Sequence, residues 1–258
     1  MGFVKTAAEL ERYYGLGVRR FPGAKMMGVM FGAERDTMAR LLPPPLEQAD
    51  MPGGLIFIAE YPKTNLGPGY REAALFLRCK HQGVAGSYCL SMPIDNEPRM
   101  HNGRDVFGFP KKLAKITFAR EGNRVTGCVE RYGIKFVEIT ITLAGTLPQL
   151  PPMGPTYLFK AMPRIDLTPG FDGPVLLAAQ RTDIVAKKVE IGMAEVILRP
   201  APHDPWSEIG TPEVMAAFCL ESDNTMQPGK IIGEVDPLAY LPHYYKFTDF
   251  STGAEEEQ

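Results

Sequence analysis

Two adjacent lysines, Lys111 and Lys112, have the residue type and the setting needed for covalent chemistry. They follow Phe109 and Pro110 and precede Leu113, so apolar residues flank them on both sides. An apolar environment and a neighbouring cation both favour the neutral form of an amine. A neutral lysine can attack a ketone and form a Schiff base. The pair therefore predicts imine chemistry with one lysine as the nucleophile.

One neighbouring charge is not enough for this chemistry. A lysine is neutral at about pH 7 only if roughly 4.6 kcal/mol favours its neutral form. A unit charge at about 6–8 Å, at an effective dielectric near 20, supplies roughly 2–3 kcal/mol. Burial or a second cation must therefore supply the rest of this free energy, in addition to the charge of Lys112. By contrast, Lys187 and Lys188 lie near Glu190 without a proline or aromatic residue, and we interpret them as an ordinary solvated pair.

The composition is that of one globular chain with a sizeable core. The 258 residues are 45% hydrophobic and 22% charged, so we expect a single domain over residues 1–258. The net charge of −2 gives no support for nucleic-acid binding. No apolar run approaches about 18–20 residues, so we expect no membrane span.

The sequence lacks the patterns of metal and nucleotide sites. Its four histidines are isolated from one another, and no phosphate-binding glycine loop is present. We therefore expect neither a metal nor an organic cofactor. The N-terminus has no secretory pattern, and four widely spaced cysteines without a Cys-x-x-Cys motif predict reduced thiols in a cytoplasmic protein: Cys79, Cys89, Cys128 and Cys219.

Short strands and few helices must position the lysines. Strands are predicted over 24–31, 55–61, 72–79, 87–92, 116–118, 124–132, 135–143, 157–162, 175–179 and 185–198. A capping box at Thr6 and Glu9 predicts a helix that ends near Gly15, further helices are predicted over 34–42 and 212–220, and a turn or helix over 96–106 leads to the lysines. Residues 146–155 are read as a linker and 253–258 as a disordered tail. This organisation predicts a mainly β protein, a barrel with a few peripheral helices.

Several short motifs together resemble the acetoacetate decarboxylase superfamily. They are DNEP at 95–98, GR at 103–104 and FPKKL at 109–113, preceded by LLPPPL at 41–46 and YRE at 70–72. Their order and spacing agree with that family from about residue 28 to 120, and beyond this only the general strand character is similar.

The resemblance implies a β-barrel, a homo-oligomer and a Schiff-base mechanism without a cofactor. It implies that Lys111 forms the imine, that Lys112 favours its neutral form, and that Glu72 is the general acid and base. The resemblance and the setting together suggest three substrate-binding residues: Arg104, Met92 and Phe109. Of these, Arg104 would either meet a substrate carboxylate or brace the lysine loop, whereas Met92 and Phe109 would form apolar wall.

The chain departs from the family pattern at two charged positions. The family carries an arginine on the first strand, where this chain has Ala24 or, with a slip of one residue, Lys25. The family also carries a glutamate on the next strand, at a position that falls among residues 56–58 here. Glu60 is a displaced substitute or a surface residue at the strand end. Since an arginine can bind a carboxylate bidentately, these losses bear on decarboxylation more than on imine formation.

These observations favour a Schiff-base lyase that acts on a small keto acid or aldehyde. Aldolase or dehydratase chemistry on pyruvate-like substrates is favoured, because the two charged residues are missing. The alternatives are a true acetoacetate decarboxylase that releases CO2 and a non-catalytic member that binds a small carbonyl compound.

Overall fold

The structure is a computed structural model and describes residues 2–247. Its strands are β1 (Arg19–Gly32), β2 (Glu47–Gln48), β3 (Gly53–Thr64), β4 (Gly67–His81), β5 (Val84–Ile94), β6 (Lys111–Leu113), β7 (Lys115–Glu121), β8 (Arg124–Arg131), β9 (Ile134–Leu147), β10 (Thr156–Lys160), β11 (Val175–Gln180), β12 (Thr182–Leu198), β13 (Glu213–Met226) and β14 (Lys230–Val235). The α-helices are α1 (Ala7–Gly15), α2 (Arg35–Leu41), α3 (Glu97–His101) and α4 (Pro237–Tyr244). A π-helix (Asn102–Phe107) continues α3, and short 3-10 helices cover Trp206–Ile209 and Tyr245–Phe247.

All the described strands belong to one sheet, which confirms the mainly β class. The order is β14-β11-β10-β5-β4-β3-β1-β13-β12-β9-β8-β7, with β2 on β4 and β6 on β5. The sheet curls, because β7 packs across β3 and β4. Within residues 2–247 its edges β14 and β7 do not pair with each other, so the barrel is open.

The alternation of side chains along the strands divides the sheet into two apolar faces. On β3, Ile56 and Ile58 pack in the larger core, whereas Phe57 and Tyr61 pack in a smaller cluster on the other face. Phe109 also belongs to the smaller cluster. The residues that lead into the lysine pair therefore lie on the face opposite the larger core.

The helix predicted over 212–220 is wrong, because these residues lie in β13. This strand pairs with β1 on one side and β12 on the other. Methionine, alanine and leucine favour helices in isolation, but here Ala217 packs in the larger core while Phe218 and Leu220 pack in the smaller cluster. Pairing at both edges and burial on both faces override the helix propensity.

The other predicted elements are confirmed with small changes of boundary. The capping box is present, since Thr6 Oγ1 accepts a hydrogen bond from the Glu9 amide and Glu9 Oε2 accepts one from the Thr6 amide. Helix α4 was not predicted, and the predicted tail at 253–258 lies outside the described residues. No described helix combines the length and the apolar character needed to cross a membrane.

Candidate active site

A buried ion pair between Lys111 and Glu72 lies at the centre of the candidate site. Lys111 Nζ is 2.5 Å from Glu72 Oε2, and the two side chains are only 7% and 9% exposed. Tyr61 Oη donates a hydrogen bond of 3.2 Å to the other carboxylate oxygen, Oε1. Burial raises the pKa of the Tyr61 phenol well above its usual range, and the Glu72 carboxylate adds to this effect. Tyr61 therefore stays a neutral hydrogen-bond donor to Glu72.

The pair faces a small cavity of about 130 Å³ with aromatic walls. The rings of Tyr70 and Phe109 have their centroids 5.8 and 5.7 Å from Lys111 Nζ. Met92, which lies beside Lys111 in the register of β5 and β6, lines the same cavity. The structure thus brings together four of the residues singled out in the sequence: Lys111, Glu72, Met92 and Phe109.

Two glycines allow the chain to deliver Lys111 to this cavity. Gly108 ends the π-helix in the left-handed region (φ 86°), and a Cβ there would lie 2.5 Å from the Phe159 carbonyl oxygen. A Cβ on Gly103, in the π-helix itself, would lie 2.5 Å from Lys111 Cε. Short π-helical segments are frequent at functional sites. Here the π-helix packs a glycine, which has no side chain, against the aliphatic part of the Lys111 side chain.

Lys112 lies on the opposite face of β6. Its Nζ donates to the His203 carbonyl oxygen and lies 3.5 Å from Asp204 Oδ1, and the side chain is 6% exposed. Arg131 is 2.7 Å from the other oxygen of Asp204. Because successive residues of a strand point to opposite faces, any effect of Lys112 on the neighbouring amine must act across the strand, and that role stays a prediction.

Arg104 lies outside the Lys111 cavity. It lines a different depression with Phe159, Lys160 and Tyr244. Burial raises the pKa of Tyr244, and the Arg104 charge opposes that shift. Of the two roles considered from the sequence, this position favours bracing over contact with a substrate in the lysine cavity.

Neither Glu60 nor Lys25 restores a charge to the cavity. Glu60 Oε1 lies 2.7 Å from an Arg71 Nη2, and Glu60 and Lys25 line a separate depression on the other face of β1 and β3. Next to these positions the cavity wall is formed by Met26 and Phe57, while Arg19, Phe21 and Tyr61 of the same two strands also line the cavity. The wall is therefore apolar only beside the two positions where the family pattern has its missing charges.

Several polar residues of the cavity were not predicted: Arg19, Tyr61, Tyr70, Arg99 and Asn102. Two spacings in the sequence could have found some of them. Tyr70 lies two residues before Glu72, and strand alternation puts both on one face. Arg99 lies four residues before Gly103, which is the spacing of neighbours on a helix surface.

A second buried amine lies away from this cavity. Lys246 Nζ donates to Tyr88 Oη and lies 4.2 Å from the centroid of that ring. Burial lowers the pKa of Lys246 to about 7. Nothing in the sequence near Lys246 resembles the bracketed lysine pair, so only the fold reveals it.

The fold and the cavity define a class of protein: a mainly β chain with a buried lysine–carboxylate pair in an apolar pocket. Among residues 2–247, no three histidine, cysteine or acidic side chains are grouped so that they could hold a metal ion. The chain belongs to the acetoacetate decarboxylase family, because the model for "Acetoacetate decarboxylase (ADC)" matches residues 7–235.

Relatives of similar sequence agree with this assignment, and solved structures agree with the fold. The chain is 28% identical over 221 residues to the acetoacetate decarboxylase of Acidiphilium cryptum, which covers 84% of this chain and 89% of the relative. The acetoacetate decarboxylase structure from Legionella pneumophila is 22% identical, covers 84% of this chain and 88% of its own, and has a TM-score of 0.75. The enduracididine biosynthesis enzyme MppR complexed with pyruvate is 19% identical, covers 84% of this chain and 91% of its own, and has a TM-score of 0.73.

Proposed function

We propose that this protein is a Schiff-base-forming lyase that acts on a small keto acid by aldolase or dehydratase chemistry. The observation that carries the proposal is the contact of 2.5 Å between Lys111 Nζ and Glu72 Oε2 at the wall of a small apolar cavity. This contact supports a mechanism in which Lys111 acts as the nucleophile and Glu72 as the base on the same substrate.

Imine formation needs the amine to lose a proton and the carbonyl oxygen to leave as water. Glu72 is placed to accept the proton from the Lys111 ammonium, because the two atoms are already hydrogen-bonded. The neutral amine then adds to the ketone carbon, and the resulting carbinolamine hydroxyl takes up a proton and departs as water. Tyr61 keeps Glu72 oriented through its bond to Oε1.

The protonated imine is an electron sink for a bond at the adjacent carbon. Glu72 can remove a proton from that carbon, which leaves an enamine with its electron pair on the carbon. The enamine carbon then adds to an aldehyde, whose oxygen takes up the proton held by Glu72 and becomes a hydroxyl. Removal of a second proton from the same carbon, with departure of this hydroxyl as water after it takes up a proton, gives an unsaturated imine. Water then hydrolyses this imine, which releases the dehydrated product and restores the Lys111 amine.

The absence of the two family charges from the wall at Met26 and Phe57 favours this chemistry over decarboxylation. Met26 and Phe57 offer no hydrogen bond to a carboxylate on their side of the cavity. Support also comes from the likeness to MppR, whose structure is described as complexed with pyruvate.

Decarboxylation is the second candidate, and the named relatives favour it. Several acetoacetate decarboxylases are 26–28% identical over 84–85% of this chain. The same imine would accept the electron pair from a C–CO2⁻ bond, with CO2 as the leaving group. Release of CO2 from acetoacetate at a rate that depends on Lys111 would establish this reading.

Borohydride trapping tests the proposal. The protein is incubated separately with pyruvate and acetoacetate, reduced, and digested so that the modified peptide can be identified by mass. We expect an adduct on Lys111, with pyruvate the better trapping acid. If folded protein gives no Lys111 adduct with either acid at neutral pH, the imine mechanism is wrong and a non-catalytic binding role takes its place.

Lys246 is the necessary internal control for this experiment. Its pKa of about 7 makes Lys246 an amine that is about half neutral at pH 7, but it lies against Tyr88 and not at the Lys111 cavity. An adduct on Lys246 alone would reflect general amine reactivity. Selective modification of Lys111 would show that the cavity positions the ketone.

We also propose that the protein assembles as a homo-oligomer in the cytoplasm. Exposed apolar side chains on the outer side of β12 and β13 support assembly, with Met193 82% exposed and Met215 50% exposed. The four cysteines are free thiols, which supports a reducing compartment.

A further inference from the structure

Two arginines that the imine mechanism does not use line the same cavity as Lys111. Arg19 lies at the start of β1, and Arg99 lies in α3, one turn before Gly103. Charged residues of the described lining are thus three cations and a single carboxylate, Glu72, which is already bound to Lys111. The cavity lining has an excess of positive charge that no other residue among 2–247 in this lining neutralises.

The contacts of both guanidinium groups are to neutral atoms. Arg19 donates to the Gly17 carbonyl at 3.4 Å and to Tyr13 Oη at 3.3 Å, and it lies over the Tyr13 ring at 5.1 Å. Arg99 donates to the Leu66 carbonyl. Over residues 2–247 no carboxylate pairs with either group, and the Nε atoms of both are buried without a hydrogen-bond partner.

The two arginines are close enough to affect each other. Burial lowers the pKa of Arg99, and the Arg19 charge acts in the same direction. An arginine does not lose its proton in a protein, so this repulsion remains until an anion enters. Both guanidinium groups are partly buried, and no acid of the described chain pairs with either of them.

Neighbouring residues fix the positions of the two guanidinium groups at the cavity. A Cβ on Gly67 would lie 3.1 Å from Arg99 Nη2, so the glycine permits the guanidinium to lie over that turn. Asn102, also in the cavity lining, donates to Tyr13 Oη at 2.7 Å, so Tyr13 links it to Arg19. The Tyr70 ring lies near Lys111 on one side and interacts with the Arg99 charge.

We propose that Arg19 and Arg99 form a carboxylate-binding site that selects keto acids over neutral ketones. This inference rests on the proposed Schiff-base function and names the substrate class of the same cavity. A carboxylate presents acceptor oxygens to the Nε and Nη donors of both arginines. The ketone of the same molecule then meets Lys111, so Arg19 and Arg99 determine specificity and take no part in bond making.

Trapping with a matched pair of probes tests the selection. Pyruvate and its neutral methyl ester carry the same ketone, and the concentration of each that gives half-maximal Lys111 adduct is measured. Removing one member of a desolvated charge pair typically weakens binding by tenfold or much more. We expect Arg99→Gln, and separately Arg19→Gln, to raise this concentration at least about tenfold for pyruvate. For the ester, the same concentration should stay within about twofold of the wild-type value.

Arg12→Gln is the matched control, because Arg12 is an exposed arginine on α1 next to Tyr13. This variant should leave the half-maximal concentrations of pyruvate and of the ester unchanged. The proposal is overturned if the half-maximal concentrations of pyruvate and of the ester rise equally in both arginine variants, which is the result of a merely structural role. It is also overturned if neither variant changes the half-maximal concentration of pyruvate.

A carboxylate without a ketone separates this inference from the imine mechanism. Lactate cannot form an imine, but it should stabilise the wild-type protein against thermal unfolding by binding the folded state. We expect this stabilisation to disappear in Arg99→Gln and to persist in Arg12→Gln. Stabilisation by lactate without a Lys111 adduct refutes the imine mechanism alone, whereas a Lys111 adduct without selectivity for the acid refutes the arginine site alone.

Discussion

The proposed chemistry depends on two residues, the nucleophile Lys111 and its base Glu72. Both side chains are below 10% exposed, and the aromatic rings of Tyr70 and Phe109 surround the amine. Removing one partner of a buried ion pair typically costs about 3–5 kcal/mol, because it leaves a buried charge unpaired. Conservative substitutions are therefore the informative ones at this site.

Glu72→Gln should separate imine formation from proton transfer. The amide keeps the shape of the side chain but cannot act as a base. We expect the exchange of pyruvate methyl protons for deuterium, followed by NMR, to slow by about 10²–10⁴, the usual contribution of a general base. The Lys111 adduct with pyruvate should fall less than this exchange rate.

Glu60→Gln is the matched control, since Glu60 pairs with Arg71 and lines a separate depression. It should leave the exchange rate within about twofold of wild type. Unchanged exchange in Glu72→Gln, or an equal loss in Glu60→Gln, would show that Glu72 is not the base.

Lys246 predicts a pH dependence of stability. Its pKa is about 7 in the folded protein against about 10.4 when unfolded, so between these values the unfolded state binds the extra proton. The contribution of Lys246 to the free energy of unfolding should then rise with pH, by at most about 1.4 kcal/mol per unit, whereas the raised pKa values of Cys79 and Cys219 contribute with the opposite sign. Lys246→Met removes this contribution, so its advantage over wild type should be greatest near pH 7 and shrink towards pH 10.

Urea unfolding at pH 7, 8.5 and 10 measures this difference. His243, whose pKa is lowered first by burial and then by Lys246, titrates below this window. Lys63→Met changes an exposed lysine. Its free energy of unfolding should differ from that of wild type by the same amount at all three pH values. A constant difference for Lys246→Met as well would contradict the lowered pKa.

Among the elements, the unit formed by α3, the π-helix and β6 decides where the amine lies. Asn96 caps α3 by accepting the Arg99 amide at 3.2 Å, and Gly108 turns the chain into the strand. Strand alternation then sends Lys111 into the cavity and Lys112 to Asp204 on the other face. The same unit carries Arg99, so nucleophile and proposed carboxylate ligand are placed by one short segment.

Gly103→Ala should displace the amine with little loss of stability. The new Cβ would meet Lys111 Cδ and Cε at 2.7 and 2.5 Å, and a flexible stem can move aside at small cost. We expect the rate of Lys111 adduct formation with pyruvate to fall at least about tenfold, because catalysis is sensitive to displacements of about 1 Å.

Gly233→Ala provides the comparison, because nothing lies within 4 Å of a Cβ there. It should leave adduct formation unchanged, and thermal unfolding should show both variants folded. Adduct formation at the wild-type rate in Gly103→Ala would mean that the lysine stem does not depend on the bare backbone of the π-helix.

For the whole molecule, the exposed apolar side chains of β12 and β13 bear on assembly. Met193→Glu places a charge in the middle of this surface. We expect light scattering to give a smaller particle for the variant than for wild type, because a buried unpaired charge is costly at an interface. Leu238→Glu, at a 73% exposed leucine on α4, should leave the mass unchanged, and an equal mass for all three proteins would place assembly elsewhere or exclude it.

The sequence predicted much of the fold because strand and turn patterns are local. The capping box at Thr6 and the strands from β3 to β5 follow from short-range preferences. The failure at 212–220 has a different origin, since β13 is a strand only because two neighbours pair with it. The exposed pair Lys187 and Lys188 matches its prediction, as each lysine contacts an acid at the surface.

The sequence by itself determined the family and the mainly β class, and it led to the prediction of Lys111 and Glu72 as site residues, because these depend on residue types at fixed short spacings. Only the tertiary structure decided which side chains share the cavity. Lys111 and Glu72 are 39 residues apart in the chain, and Arg19 reaches the same cavity from the first strand. The curl of the sheet brings these distant segments together, and strand alternation then points Lys112, Glu60 and Lys25 away from it.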